Sequence, residues 1–316
     1  MGSESQYQIP AIEFAMNSPE VNRGTDEWYH LCKKVREACE NFGCFEIVYE
    51  KIPPQLRAEF FSASRKLFSL PLETKKKNIN PNPYYGYLGP SVLTPLYEGF
   101  GFDETSDYES LRRFTEEIWS RDQLCTVLSM MKKLDELKDV INLIILDSYG
   151  LEESSNLIMV SKRLIRLMKY AAPPSGEYTM AAPAHTDKNF GTILCDDQVS
   201  GLEVQIKVDE QWVKLSISPR SFVFVVGDSL MAWSNGRMHS VNHRVMMCGE
   251  KERYSLAAFA QPIEGSIIKA QKELVDEDYP QILNDFDYTD FCKFIGSEGR
   301  AIDTQKQVFA FAGIGN

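Results

Sequence analysis

The run "GLEVQIKV" at 201–208 sets Leu202, Val204, Ile206 and Val208 against Glu203, Gln205 and Lys207. Strict alternation of this kind marks a strand with one apolar face. The run "SFVFVV" at 221–226 is apolar almost throughout and reads as a buried strand. Between it and "HSVNHRVMM" stands "NGR" at 235–237, an Asn-Gly hairpin signal. Short strands at this spacing, beginning near residue 160, predict a sandwich or jelly roll.

Upstream the period changes. Trp28, Leu31, Cys32, Val35, Cys39 and Phe42 recur at helical spacing from Asp26 until Gly43, which can cap the helix, and "CFEIVY" then reads as a strand. Pro53 and Pro54 open a second helix that gathers Leu56, Phe60, Ser64 and Leu67 on one face. A long helix follows, with Leu124, Val127, Leu128, Met131, Leu134, Leu137, Ile141 and Ile144 holding a period near 3.6 up to Gly150. Residues 81–102 are rich in Pro, Gly and aromatics and read as ordered loop with short strand.

Composition narrows the function. With 316 residues and 43% hydrophobic content the chain can bury a substantial core. A net charge of −11 and the lack of a basic, aromatic-studded stripe exclude nucleic acid as the expected partner. Seven cysteines, with no C-x-x-C pair, fit reduced thiols in a cytoplasmic protein better than a disulfide framework. The start "MGSESQYQIP" lacks a signal sequence, Gln6 breaks a myristoylation motif, and no apolar run is long enough to span a bilayer.

Only four histidines are present, and one of them, His185, stands two residues before Asp187 in "AAPAHTDKNFG" at 181–191. On an extended strand positions i and i+2 share a face, so the imidazole and carboxylate can close on one metal ion. A further ligand must come from His30, His239 or His243. His30 lies in the first helix and reads as structural. His239 and His243 would lie roughly 13 Å apart on one strand, too far to bind one ion together. In "RYSLAAF" Arg253 and Ser255 share a face while Tyr254 turns away, so a guanidinium and a hydroxyl point together into the interior. A buried arginine needs an anion, and its planar fork suits a carboxylate.

"HTD", "NGRMHSVNHRV" and "RYS", taken in order, resemble the signature of plant Fe(II)- and 2-oxoglutarate-dependent dioxygenases: H-x-D, a distal histidine in "HRV", and R-x-S. The resemblance implies that His185, Asp187 and His243 bind iron and that Arg253 and Ser255 bind the far carboxylate of 2-oxoglutarate. Tyr170 in "RLMKYAAPP" matches the tyrosine that reaches the same carboxylate, although the family's "NYYPPCP" is replaced here by "MKYAAPP". "ENFGCFEI", "LFSLPLETK", "GYLG", "PLYEGFG", "HTDKN", "GDSLMAWSNGRMHS" and "ELVDEDYP" together resemble the AOP branch, named for alkenyl- and hydroxyalkyl-producing enzymes of glucosinolate metabolism. The "NHG" turn of the wider family is replaced by "YEK".

The fold implied is a double-stranded β-helix, mainly β with flanking helices. A mostly helical region at 1–155 leads into a jelly-roll core at 160–262, and a helical segment at 263–316 closes the chain. The activity implied is oxidation, by default hydroxylation, of a small specialised metabolite or hormone by an enzyme that takes O2 and 2-oxoglutarate, releases succinate and CO2, uses ascorbate as reductant, and acts as a monomer. A two-histidine, one-carboxylate triad leaves iron positions open, as such chemistry requires.

Two other readings compete. A zinc hydrolase using His239 and His243 is disfavoured because Ser240, Val241 and Asn242 supply no glutamate base. A non-catalytic jelly-roll binding protein would not need R-x-S. Tyr85, Tyr87, Tyr97, Phe100 and Phe190 could line an apolar substrate cavity but read more readily as packing, and "VFAFAGIGN" reads either as a lid or as a docked tail.

Overall fold

The computed structural model describes residues 8–14, 23–81, 83–104, 109–153 and 157–314. Its first strands are β1 (Ala11–Glu13), β2 (Cys44–Val48), β3 (Tyr87–Leu88) and β4 (Tyr97–Glu104). The later ones are β5 (Lys162–Tyr170), β6 (Thr179–His185), β7 (Gly191–Asp196), β8 (Leu202–Gln205), β9 (Trp212–Lys214), β10 (Ser221–Val226), β11 (His243–Met247) and β12 (Arg253–Gln261). An eight-stranded sheet has the order β1-β2-β10-β7-β12-β5-β4-β3, and a four-stranded sheet the order β6-β11-β8-β9. From β5 onward the chain therefore alternates between the sheets, with only β8 and β9 consecutive in one of them. That alternation is the winding expected of a double-stranded β-helix.

Side chains of opposite parity on the large sheet serve different cores. Ile165, Leu167, Ile193, Phe222, Phe224 and Leu256 pack outward with the helices, whereas Val223 and Val225 pack inward with Leu202, Val204 and Val213 of the small sheet. The helices covering the outer face are Asp26–Asn41, Pro54–Phe68 and Leu124–Ser148, close to the spans their periodicity predicts. Thr25 caps the first by accepting from the Trp28 amide. The terminal "VFAFAGIGN" docks: Gln307–Ala312 is helical, and Val308 and Ala312 are buried. Among the described residues no helix is long and apolar enough to cross a membrane.

Two local expectations change. Asn235 and Gly236 do adopt positive φ, +53° and +73°, but they follow the short helix Asp228–Trp233 instead of joining two strands. Left-handed residues terminate a helix as well as they turn a hairpin. In β8, Glu203 is as buried as its neighbours, and its carboxylate accepts from Tyr178 and from Arg244. Hydrogen bonding to those partners allows burial of the face that alternation assigns to solvent.

Gly43 ends the first helix at φ +70°, and a Cβ there would run into the carbonyl oxygen of His239. Gly43→Ala is therefore expected to lower stability by more than the roughly 1–2 kcal/mol that left-handed backbone alone costs an L-residue. Urea unfolding checks this, and an unchanged midpoint would contradict it.

Candidate metal centre

β6 and β11 pair antiparallel with His185 opposite His243, which brings their rings to 4.2 Å between centroids. Asp187 lies two residues beyond the end of β6, so the triplet converges at a strand end and not within a strand. Its Oδ1 stands 3.8 Å from Nε2 of each histidine. Two metal–donor bonds of about 2.0–2.2 Å span such a gap. One ligand atom from each of the three residues lies within 4.8 Å of the others, and this is the one such group of His, Cys, Asp or Glu side chains found among the described residues.

Backbone carbonyls prepare both imidazoles. Nδ1 of His185 lies 2.8 Å from the Pro183 oxygen, and Nδ1 of His243 lies 3.3 Å from the Val241 oxygen. With Nδ1–H donating there, each Nε2 is left as a lone pair facing Asp187. Burial, reinforced by the neighbouring His185, pushes His243 down to about 4, so its ring is neutral near pH 7. Thr192 on β7 donates to Asp187 Oδ2 at 2.5 Å and leaves Oδ1 for the histidines. Two imidazole nitrogens and one carboxylate with a fixed free oxygen are the donors a hard-to-borderline divalent cation accepts.

Thr186 faces away from the triad and donates to the fully buried Asp228, which also accepts from Ser240 at 2.5 Å and from Lys188 at 2.8 Å. Burial raises the Asp228 carboxyl above its ordinary range, and Lys188 is the largest influence opposing that rise. Thr186 and Lys188 also reach the Thr304 carbonyl, which fastens the C-terminal segment to the back of the H-T-D turn.

A second polar cluster lies at the start of β12. Arg253 faces Tyr170 in register across β5, its guanidinium carbon 5.4 Å from that ring's centre. Nε donates to the Val199 carbonyl and Nη2 to Asp196 Oδ2, both at 3.0 Å. Ser255, two residues on, is 4% exposed, and its Oγ has no hydrogen-bond partner. Burial raises the Tyr170 phenol, which therefore stays protonated as a donor. A hydroxyl orphaned beside a guanidinium and a second hydroxyl fits a carboxylate, so the residues present accommodate a diacid's far end. Tyr254 turns to the opposite face, against Phe68 and Arg65.

The residues singled out from sequence thus form two clusters: His185, Asp187 and His243 in one, and Tyr170, Arg253 and Ser255 in the other. His239 joins neither. Its amide donates to Cys39, and burial holds its ring down to about 4. Thr192, Asp196, Asp228 and Lys188 were not identified by motif.

The 2OG-Fe(II) oxygenase superfamily model matches residues 157–262, and the model for the non-haem dioxygenase N-terminal region, described from morphine synthesis, matches residues 9–108. The chain is 37% identical to the probable 2-oxoglutarate-dependent dioxygenase AOP1.2 of Arabidopsis thaliana, over 97% of this chain and 96% of that one. It is similar to the solved rice dioxygenase for auxin oxidation, at 29% identity and a TM-score of 0.85, covering 97% of this chain and all of the other. The 2-oxoglutarate complex of the Arabidopsis thaliana enzyme for auxin oxidation gives 28% identity and a TM-score of 0.79, covering 86% and 100%.

Proposed function

Because the chain belongs to the 2OG-Fe(II) oxygenase superfamily, we propose that His185, Asp187 and His243 hold its ferrous ion, and that Arg253, Ser255 and Tyr170 receive the far carboxylate of 2-oxoglutarate. The enzyme oxidises a small specialised metabolite or hormone, by default through hydroxylation. Relatives named for auxin oxidation support a hormone, and those of the AOP type support a specialised metabolite. The reading extends to a monomeric cytoplasmic enzyme kept active by ascorbate, in keeping with seven unpaired cysteines.

Bound Fe(II) supplies the site for O2 and for splitting 2-oxoglutarate into succinate and CO2. The protein's part is positional. The Pro183 and Val241 carbonyls orient the two imidazoles through Nδ1, Thr192 fixes which Asp187 oxygen is free, and Arg253 orients the diacid from its far end. His243 and Asp187 are buried whereas the His185 side chain is 39% exposed, so the triad is reached from the His185 side.

The observation carrying this reading is the convergence of three donors from β6, the following turn and β11. Succinate release is expected only when Fe(II) and 2-oxoglutarate are both supplied. Hydrolase activity with zinc, and no 2-oxoglutarate consumption, would instead support the zinc reading.

Ser255→Ala separates binding from packing. Removing an unpartnered buried hydroxyl is expected to leave stability unchanged or raised, while the KM for 2-oxoglutarate rises by roughly 10- to 100-fold, the worth of one hydrogen bond to a charged group. A destabilised variant with unaltered KM would contradict the assignment.

A further inference from the structure

Arg166 differs from the other deeply buried arginines. Arg57 and Arg253 are each 3% exposed, and both lie against the Asp196 carboxylate. Arg166 is 4% exposed, and its guanidinium donates only to neutral acceptors, the Tyr84 carbonyl and, at 2.6 Å, the Tyr97 hydroxyl. Among the described residues no carboxylate pairs with it. Burying a cation without a counter-ion is costly, so a site that retains one is arranged for an anion that arrives later.

Its position says which anion. Along β5, Arg166, Met168 and Tyr170 share the inward face, since Ile165 and Leu167 belong to the outer core. Cross-strand registers place Arg166 in one row with Ala257, Leu194 and Gly101. The row on one side contains Thr192, which holds Asp187, and the row on the other contains Ser255 and Asp196. Arg166 thus stands between the level of the triad and the level of the diacid's far end, with a glycine and an alanine beside it. A chain of ring contacts joins the two arginines: the Arg166 guanidinium carbon lies 6.0 Å from the Tyr97 ring centre, the Tyr97 and Tyr170 rings are 5.6 Å apart and tilted by 60°, and the Arg253 guanidinium carbon lies 5.4 Å from the Tyr170 ring centre. Lys162, the first residue of β5 and four residues earlier on the same face, stands 5.0 Å from the Tyr85 ring centre.

We propose that Arg166 receives the carboxylate of the substrate to be oxidised, which makes that substrate a small organic acid. The proposal rests on the oxygenase reading and adds the acceptor's charge to it. Arg253, Ser255 and Tyr170 are committed to 2-oxoglutarate, so the second arginine has a different ligand.

The test measures succinate release by the iron-loaded enzyme with a plant metabolite extract split at neutral pH on an anion exchanger. Stimulation is expected from the retained fraction and is expected to disappear after methyl esterification of that fraction. Arg166→Leu is expected to lower the stimulated rate at limiting fraction by roughly 10- to 100-fold, the loss of a charge-assisted contact, with the KM for 2-oxoglutarate changed by less than about twofold. Arg166→Lys should restore part of the response, which a merely misfolded variant would not. Stimulation from the unretained fraction, from none, or undiminished in Arg166→Leu would overturn the proposal, as would an equal rise in the KM for 2-oxoglutarate. In each of those cases 2-oxoglutarate consumption by the wild type would still stand, whereas its complete absence would defeat the oxygenase reading as well.

Discussion

His243→Ala reduces succinate release to background. The expectation follows from the position of the ring at the centre of the site. It is paired with His185 across the sheet, 3.8 Å from Asp187 Oδ1, and held neutral by burial. Removing an outer partner of a metal ligand typically costs 10–100-fold in affinity or activity, and loss of one of three ligands must exceed that. Stability moves little by comparison, because alanine leaves Asp187 anchored by Thr192 and relieves the burial of an imidazole. Metal content after anaerobic loading, read beside circular dichroism, distinguishes a vacant folded site from a collapsed one. A variant that keeps stoichiometric iron and turnover would remove His243 from the centre.

Arg253→Leu carries the second large effect, and it falls on two quantities together. The guanidinium binds Asp196 and the Val199 carbonyl, and its carbon lies 5.4 Å from the Tyr170 ring centre. Deleting one partner of a buried ion pair costs about 3–5 kcal/mol. Here Arg57, whose Nη2 is 3.8 Å from Asp196, offsets part of that loss, so the variant should fold with a lowered unfolding midpoint. The KM for 2-oxoglutarate is expected to rise roughly 100-fold, since a charge-assisted, two-pronged contact is lost along with its orientation. Lysine should not rescue it, because a point charge cannot bond Asp196 and a carboxylate in one plane. Steady-state kinetics in 2-oxoglutarate checks this, and an unaltered KM in a folded variant would exclude Arg253 from the co-substrate site.

The sequence made some of this architecture legible and hid the rest for identifiable reasons. Periodicity located the helices Asp26–Asn41, Pro54–Phe68 and Leu124–Ser148 because each buries one stripe against the outer face of the large sheet. Alternation located β8 but misassigned the face of Glu203, since partners at positions 178 and 244 decide that burial. Asn235-Gly236 was read as a hairpin signal, but its two positive-φ residues follow the helix Asp228–Trp233, which local signals did not reveal. The candidate ligands were visible because H-x-D and R-x-S are short-range patterns. Asp196 and Arg166 were not, because their meaning lies in register: Asp196 faces Ser255 across one strand pair, and Arg166 faces Ala257 across another. Asp228 and Lys188 likewise acquire a role only when forty residues of chain fold back between them.

The most direct measurement of the central claim is a crystal structure of the enzyme grown without oxygen in the presence of Fe(II) and 2-oxoglutarate. The account predicts one metal peak bonded by Nε2 of His185, Nε2 of His243 and Oδ1 of Asp187, with the diacid's far carboxylate on Arg253 and Ser255. A metal peak at His239, or 2-oxoglutarate bound away from Arg253, would contradict it.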